Sequence, residues 1–260
     1  MITSPANPTM RQIRGLRQRK TREANGLCLL EGIRLVTEAI QAGAAIESLI
    51  VAPELLRSPF AQQLVAEQAA NGTTILEVSP SVFASLSEKD GPQGLAAVVQ
   101  QRWLALDAAA LGPAPGWVAL IEPADPGNLG TIIRTADGVG ASGVIIVGNG
   151  ADPYDPAALR AAMGATFALN LARATWDELV GWRTRHAAPL IGSSDRAATH
   201  FQQCVYPQPL ILLMGSERQG LSAEQLAACD HVVGIPMRGR SDSLNLAVAT
   251  GVLLYELLRG

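Results

Sequence analysis

The sequence predicts an α/β protein in two parts, a smaller N-terminal α/β unit and a larger unit built on an open, mostly parallel sheet. Short apolar runs alternate with helix-like segments along nearly the whole chain. A Pro/Gly cluster, Gly112-Pro113-Ala114-Pro115-Gly116, interrupts the alternation and marks a boundary. The runs WVALI, GVIIV and LILLM beyond it are apolar at every position, as strands covered on both faces are. Domains at 1–100 and 117–260 follow, joined by a linker at 101–116.

Taken in order, LCLLEG from Leu27 reads as a strand, Ile33 to Ala42 as a helix and IESLIV from Ile46 as a strand. A helix from Pro53 to Ala70 is punctuated by Ser58-Pro59, and Asn71-Gly72 forms a turn. The strand TTILEV, a short helix from Ser81 and the strand GLAAVVQ complete the first part. In the second part WVALIE is a strand, Pro123 to Gly127 a loop, Asn128 to Gly140 a helix and GVIIVG a strand. A helix around Pro156 to Met163 precedes strands near FALNLA and PLIGSS, with a helix from Trp176 to Arg185 between them. PLILLMG and HVVGIPM are the last strands, and a short helix from Ser222 to Ala228 separates them.

Composition sets the class. With 48% hydrophobic and 17% charged residues, the 260-residue chain is globular rather than disordered. Four Trp, three Tyr and four Phe leave an aliphatic, Ala-rich core. Cys28, Cys204 and Cys229 are scattered, odd in number and without metal-ligand spacing, which predicts a reduced cytoplasmic setting and no metal site. No signal peptide opens the chain and no apolar run is long enough to cross a bilayer.

Charge is uneven. Residues 1–22 carry Arg11, Arg14, Arg17, Arg19, Lys20 and Arg22 and no acidic residue. That segment holds +6 within a net charge of −3, so the remainder holds −9. A basic segment on an acidic body predicts a polyanionic partner, most simply RNA. The other reading is a solvated helix face, since Arg11, Arg14 and Arg17 recur at helical spacing beside Ile13 and Leu16.

Three polar clusters follow strands of the second part, where ligands of parallel sheets sit. In EPADPGNLGTIIRTADGVG, a loop enters a helix whose buried stripe is Leu129, Ile132, Ile133 and Ala136. Thr131, Arg134, Thr135 and Gly138 occupy another face, and these small neighbours of an arginine predict the approach of a bulky ligand. The glycine spacing is not GxGxxG, which argues against a nicotinamide site. In LLMGSERQGLS, an apolar strand ends at Gly215, and Glu217 stands between two glycines. Glycine there lets a ligand lie against backbone. In IPMRGRSDSLNLAVATGVLLYELL, a loop containing Pro236 and Gly239 leads into a helix from Leu244 that is apolar nearly all round. Asp242 or Ser243 is its expected cap, with Asn245 in the first turn.

In this order the clusters resemble the three motifs of the SpoU/TrmH family of RNA ribose 2′-O-methyltransferases, within the SPOUT superfamily. The first matches at Asn128, Gly130, Arg134 and Gly140, the second at Gly215-Ser216-Glu217 with Gly220, and the third at Ile235-Pro236-Met237 with Ser243-Leu244-Asn245. Ala247 stands where many members have Ser. The N-terminal part resembles the family's substrate-binding domain, related to a ribosomal protein fold, at Ser4-Pro5-Ala6-Asn7-Pro8, Glu31-Gly32 and Gln93-Gly94-Leu95.

The resemblance implies a SPOUT-type sheet with a trefoil knot, an exception to unknotted chains. It implies S-adenosylmethionine bound in the knot at Met214, Gly215, Ile235, Met237 and Leu244, with no metal. Asn128, Arg134, Glu217, Ser243 and Asn245 form the implied catalytic set. It further implies a homodimer through the C-terminal domain, no membrane, and a ribose 2′-hydroxyl of RNA as acceptor, ribosomal (23S) RNA more than transfer RNA. Asn128 and Glu217 would then orient Arg134, while Ser243 and Asn245 hold loops and acceptor. Two other readings have their own signatures. A non-catalytic RNA-binding relative would lack Arg134 or the Ser-Leu-Asn triplet, and an enzyme methylating a base nitrogen would lack the Asn128/Arg134 pair.

Overall fold

Asn7 opens the first helix by accepting from the backbone N–H of Thr9 and Met10, with Pro8 at the first helical position, where its missing N–H costs nothing. The computed structural model describes residues 1–87 and 91–259. They form two units, Met1–Gln101 with Tyr154–Ala168, and Arg102–Pro153 with Leu169–Gly260.

The first unit runs α1 (Pro8–Gly15), α2 (Arg19–Asn25), β1 (Leu27–Glu31), α3 (Ile33–Gln41), β2 (Ile46–Val51), α4 (Pro59–Ala70), β3 (Thr74–Glu77), α5 (Pro80–Leu86) and β4 (Leu95–Gln100). Its sheet has the order β1-β4-β2-β3, with β4 antiparallel to both neighbours and β2 parallel to β3. The helix expected from Pro53 begins only at Pro59, capped by Ser58, because a residue before proline is disfavoured in helical conformation. The cationic N-terminal segment is part of the core: Met10, Ile13 and Leu16 are buried with Ile50, Phe83 and Val98.

The second unit begins with a 3-10 turn at Leu106–Ala108 and continues through β5 (Gly116–Ile121), α6 (Pro126–Gly138) and β6 (Gly143–Val147). Two tryptophans pin its first segment: Trp117 donates to the Ala110 carbonyl and Trp182 to that of Ala109, at 3.0 and 2.9 Å. The chain then supplies α7 (Pro156–Ala162) and α8 (Ala165–Ala168) to the first unit. It resumes the second with β7 (Asn170–Ala174), α9 (Trp176–Arg185), β8 (Leu190–Ser193), β9 (Thr199–His200), β10 (Leu210–Met214), α10 (Ala223–Ala228), β11 (His231–Gly234) and α11 (Leu246–Leu257). The strand expected from Phe167 starts at Asn170, because Phe167 is a buried helical residue against Tyr154.

All pairings of the seven-stranded sheet, ordered β7-β6-β5-β10-β8-β11-β9, are parallel. Its strands are buried over most of their length, which explains their unbroken apolar runs. Parallel register brings the loops after β5, β8, β10 and β11 out on one edge. Among the described residues no helix is long and apolar enough to cross a membrane.

Candidate active site

The loops after β8, β10 and β11 and the start of α11 enclose a cavity of about 530 Å³. Met214, Gly215, Glu217, Ile235 and Met237 line it, as do Ser243, Leu244 and Asn245. The second and third motifs therefore meet around one space. Ser193 to Arg196 line it too. The three motifs do not include the carboxyl end of PLIGSS, and the polar run after it, Ser193 to Arg196, is its one signal in the sequence.

Glu217 does not orient Arg134. Its carboxylate accepts from the backbone N–H of Ala124 at 3.0 Å and of Asp125 at 3.4 Å, tying the loop after β10 to the loop that enters α6. Asp125 in turn caps α6, accepting from the Asn128 N–H at 2.7 Å. The Asn128 side-chain oxygen accepts from the Asn245 amide at 3.0 Å, which joins the first motif to the third.

Asn245 has a second task. Its side-chain oxygen accepts from the N–H groups of Ala247 and Val248 at 2.9 and 3.3 Å, making it the N-cap of α11. The cap is thus neither Asp242 nor Ser243, and the helix begins at Leu246 rather than Leu244. Ser243 stays in the loop, its hydroxyl donating to Asp242 at 3.3 Å.

Arg134 lies on the exposed side of α6, lines no part of the cavity and makes no side-chain hydrogen bond with the described residues. Two of the small residues beside it, Thr135 and Gly138, face α11. A side chain at Gly251 would reach the Thr135 methyl at 3.8 Å, and one at Gly138 would reach the Tyr255 hydroxyl at 4.0 Å. Small residues at these positions let the two helices approach.

Gly215 also has a different reason from the one its motif suggests. A β-carbon there would sit 2.2 Å from the Gly220 carbonyl carbon and 2.5 Å from the Leu221 nitrogen. Ser216 and Gly220 exchange backbone hydrogen bonds of 3.2 and 3.0 Å, closing a tight loop over the glycine. Gly215→Val is therefore expected to open this loop as well as to weaken cofactor binding. Overpacking costs of ~1–3 kcal/mol predict a thermal midpoint lowered by several degrees. A variant with wild-type midpoint and wild-type cofactor affinity would contradict the geometry.

The cationic segment divides. Arg11 and Lys20 are exposed, and Arg19 pairs with Glu23 at 2.9 Å. Arg14 donates to Ser85 and to the Pro5 carbonyl, and Arg17 to the Leu86 carbonyl. Arg22 is a correction to the RNA-binding set: only 1% exposed, it donates to the carbonyls of Leu16 and Arg17 and pairs with Asp155 at 3.4 Å. A guanidinium with its donors turned inward braces the fold and leaves nothing for a phosphate.

Behind the cavity, burial pushes the Cys229 thiol up to about 11, with Arg183 pulling it down and Asp230 pushing it up. Its sulfur abuts Gly192 and donates to the Gln225 carbonyl, the behaviour of an inert packed cysteine. Among the described residues no group of His, Cys, Asp and Glu is placed to hold a metal ion.

Comparison with known proteins follows the same lines. Residues 7–97 match the MRM3-like substrate binding domain. Over 252 residues the chain is 33% identical to the 23S rRNA (uridine(2479)-2′-O)-methyltransferase of Streptomyces viridochromogenes, covering 94% of this chain and 86% of that one. It is 28% identical to the 23S rRNA (guanosine(2553)-2′-O)-methyltransferase RlmP of Bacillus subtilis, covering 98% of each. The crystal structure of an AdoMet-bound rRNA methyltransferase from Sinorhizobium meliloti superposes with a TM-score of 0.91 at 36% identity, over 99% of this chain and 97% of that one. Residues 116–255, more than half of the chain and all three motifs, match the SpoU rRNA methylase family, and to that family the chain belongs.

Proposed function

We propose that this protein transfers a methyl group from S-adenosylmethionine to a ribose 2′-hydroxyl of ribosomal RNA. One observation carries the reading. The second and third motif loops close around a single cavity, in a chain similar over nearly its whole length to an AdoMet-bound rRNA methyltransferase and to two 23S rRNA 2′-O-methyltransferases. The residues present fit the cofactor. A volume of about 530 Å³ lies within the usual range for small-molecule sites. Met214, Leu221, Ile235 and Leu246 offer apolar walls to a purine, and the loops at 215–220 and 235–237 offer backbone to its edge. Held there, S-adenosylmethionine supplies an electrophilic methyl on sulfonium.

The chain's own residues must orient the acceptor and deal with its proton. The 2′-hydroxyl proton leaves to solvent water, since Arg134 is a fixed cation and no base. In this reading Arg134 grips the acceptor phosphate in a bidentate pair and stabilises the developing alkoxide. Asn245 has its amide on Asn128 and its oxygen on two backbone N–H groups, so it positions the loop at 235–245 rather than touching the acceptor. The exposed Ser243 hydroxyl, on the cavity wall, donates to Asp242 and keeps its lone pairs to accept from the ribose. Glu217 fixes the loop that presents Asn128.

Three finer features belong to the same proposal. The C-terminal segment forms a trefoil knot: β11 lies two strands from β10, yet α11 packs on β10 and α6, so residues 235–245 must return across the cavity loops. The protein is a homodimer through α11, whose Val248 and Tyr255, with Leu258 just beyond it, are more than half exposed. It works in the cytoplasm, where rRNA is the substrate and three free cysteines stay reduced.

Incubation with methyl-labelled cofactor and 23S rRNA, followed by mapping of alkali-resistant linkages, tests the function. Label in a 2′-O-methylated, alkali-resistant dinucleotide is expected; label on a base, or none in rRNA, would overturn it. The first unit contributes RNA affinity through its outward cations. Arg11→Gln with Lys20→Gln is expected to flatten the salt dependence of rRNA binding by about 1–2 in log–log slope, about 0.7–0.9 per phosphate contact. An unchanged slope would reduce these residues to solvated charge. Removing residues 1–22 outright would instead strip Met10, Ile13 and Leu16 from the core.

A further inference from the structure

The arginines of the second unit fall into two groups by position. Away from the cavity every one but Arg134 has a partner among the described residues. Arg102 donates to Asn170 at 3.1 Å, Arg173 lies 4.0 Å over the Trp103 ring, and Arg183 pairs with Asp230 at 3.0 Å. Arg185 pairs with Asp107 and Arg259 with Glu256. Around the cavity the pattern reverses. Arg196 and Arg218 line it, and Arg238 and Arg240 stand on the loop that leads into α11. All four are exposed, and none makes a side-chain hydrogen bond or ion pair with the described residues.

Among the described residues no neighbouring carboxylate forms an ion pair with them. Glu217 accepts from the amides of Ala124 and Asp125, Asp195 accepts from the Ser194 hydroxyl, and Asp242 from that of Ser243. The four come from loops after β8, β10 and β11, so the parallel register gathers them on one edge. The four exposed guanidinium groups keep their hydrogen-bond donors for an anion from outside. The second unit has no lysine at all, so these are forks suited to bidentate phosphate contact rather than point charges.

We propose that Arg196, Arg218, Arg238 and Arg240 form a phosphate-gripping rim that holds the RNA strand on either side of the acceptor ribose. The methyltransferase unit would then hold substrate by itself, in addition to the cations of the first unit. This rests on the assignment of RNA as methyl acceptor. A single carboxylate, such as that of the cofactor, could satisfy one of these arginines but not four spread over three loops.

The test is binding of full-length protein to an in vitro transcribed 23S rRNA across a salt series, with cofactor affinity and thermal midpoint measured in parallel. Arg238→Gln/Arg240→Gln is expected to flatten the log–log salt slope by about 1.5, and the quadruple Gln variant by about 3, at about 0.7–0.9 per contact. Arg238→Lys/Arg240→Lys should keep most of the slope, since charge sets it. Midpoints should stay at the wild-type value because the sites are exposed. A quadruple variant with the wild-type slope would overturn the rim. So would an Arg196→Gln/Arg218→Gln variant that loses cofactor affinity while its slope stands, because those arginines would then face the cofactor. Failure of the methyl-transfer reading looks different: the wild type would bind RNA, the variants would flatten the slope, and no ribose would be methylated. Absence of RNA binding by the wild type would overturn both.

Discussion

Arg134→Ala is expected to lower single-turnover methyl transfer to rRNA, at saturating cofactor, by at least ~100-fold, the lower end of what a charge-stabilising group contributes. Cofactor affinity should remain at the wild-type level, since the side chain lines no part of the cavity. The guanidinium is exposed on α6 and unpaired within the described residues, so its removal breaks no contact and should leave the thermal midpoint in place. Arg134→Lys separates charge from geometry. A bare cation would restore part of the rate if only field strength mattered; a bidentate clamp requires the planar fork, and lysine should then fail almost as badly as alanine. The second outcome is expected. Near-normal turnover in Arg134→Ala would remove this residue from the chemistry and favour the non-catalytic RNA-binding reading.

Asn245→Ala is expected to have the other large effect, on both structure and rate. It removes the cap of α11, worth ~0.5–2 kcal/mol, and leaves the Asn128 oxygen without its donor. It also frees the loop at 235–245 that walls the cavity. A midpoint lower by a few degrees, weaker cofactor binding and turnover down on the order of 10²-fold are expected, the last from misplacement of bound groups. Asn245→Asp divides these effects. Aspartate still accepts from the N–H groups of Ala247 and Val248, so the midpoint should recover; it cannot donate to Asn128, so turnover should stay low. Recovery of both would mean that the bond between the two motifs is dispensable.

Much of the fold was legible in local pattern. Strands buried on both faces need apolar residues at every position, so WVALI, GVIIV and LILLM announced the parallel sheet and its direction. Polar clusters after those strands located the site, because a parallel sheet sends its loops to one edge. The motif residues of the second and third clusters do line one cavity.

What required the tertiary structure was the partner of each group. Arg22 and Arg11 look alike in sequence, yet one is a buried brace and the other exposed, because burial depends on where Asp155 arrives from far along the chain. Gly215 reads as a ligand's neighbour, but the atom that forbids a side chain belongs to Gly220. The small face of α6 reads as room for a ligand, and at Thr135 and Gly138 it faces α11. Glu217 and Asn245 read as site residues, and only the fold aims one at the amides before α6 and the other at Asn128. Periodicity is written in neighbours a few positions apart, so sequence alone determined the elements and their order. Hydrogen bonds, close approach and burial join residues scores of positions apart, and those only the packed chain decides.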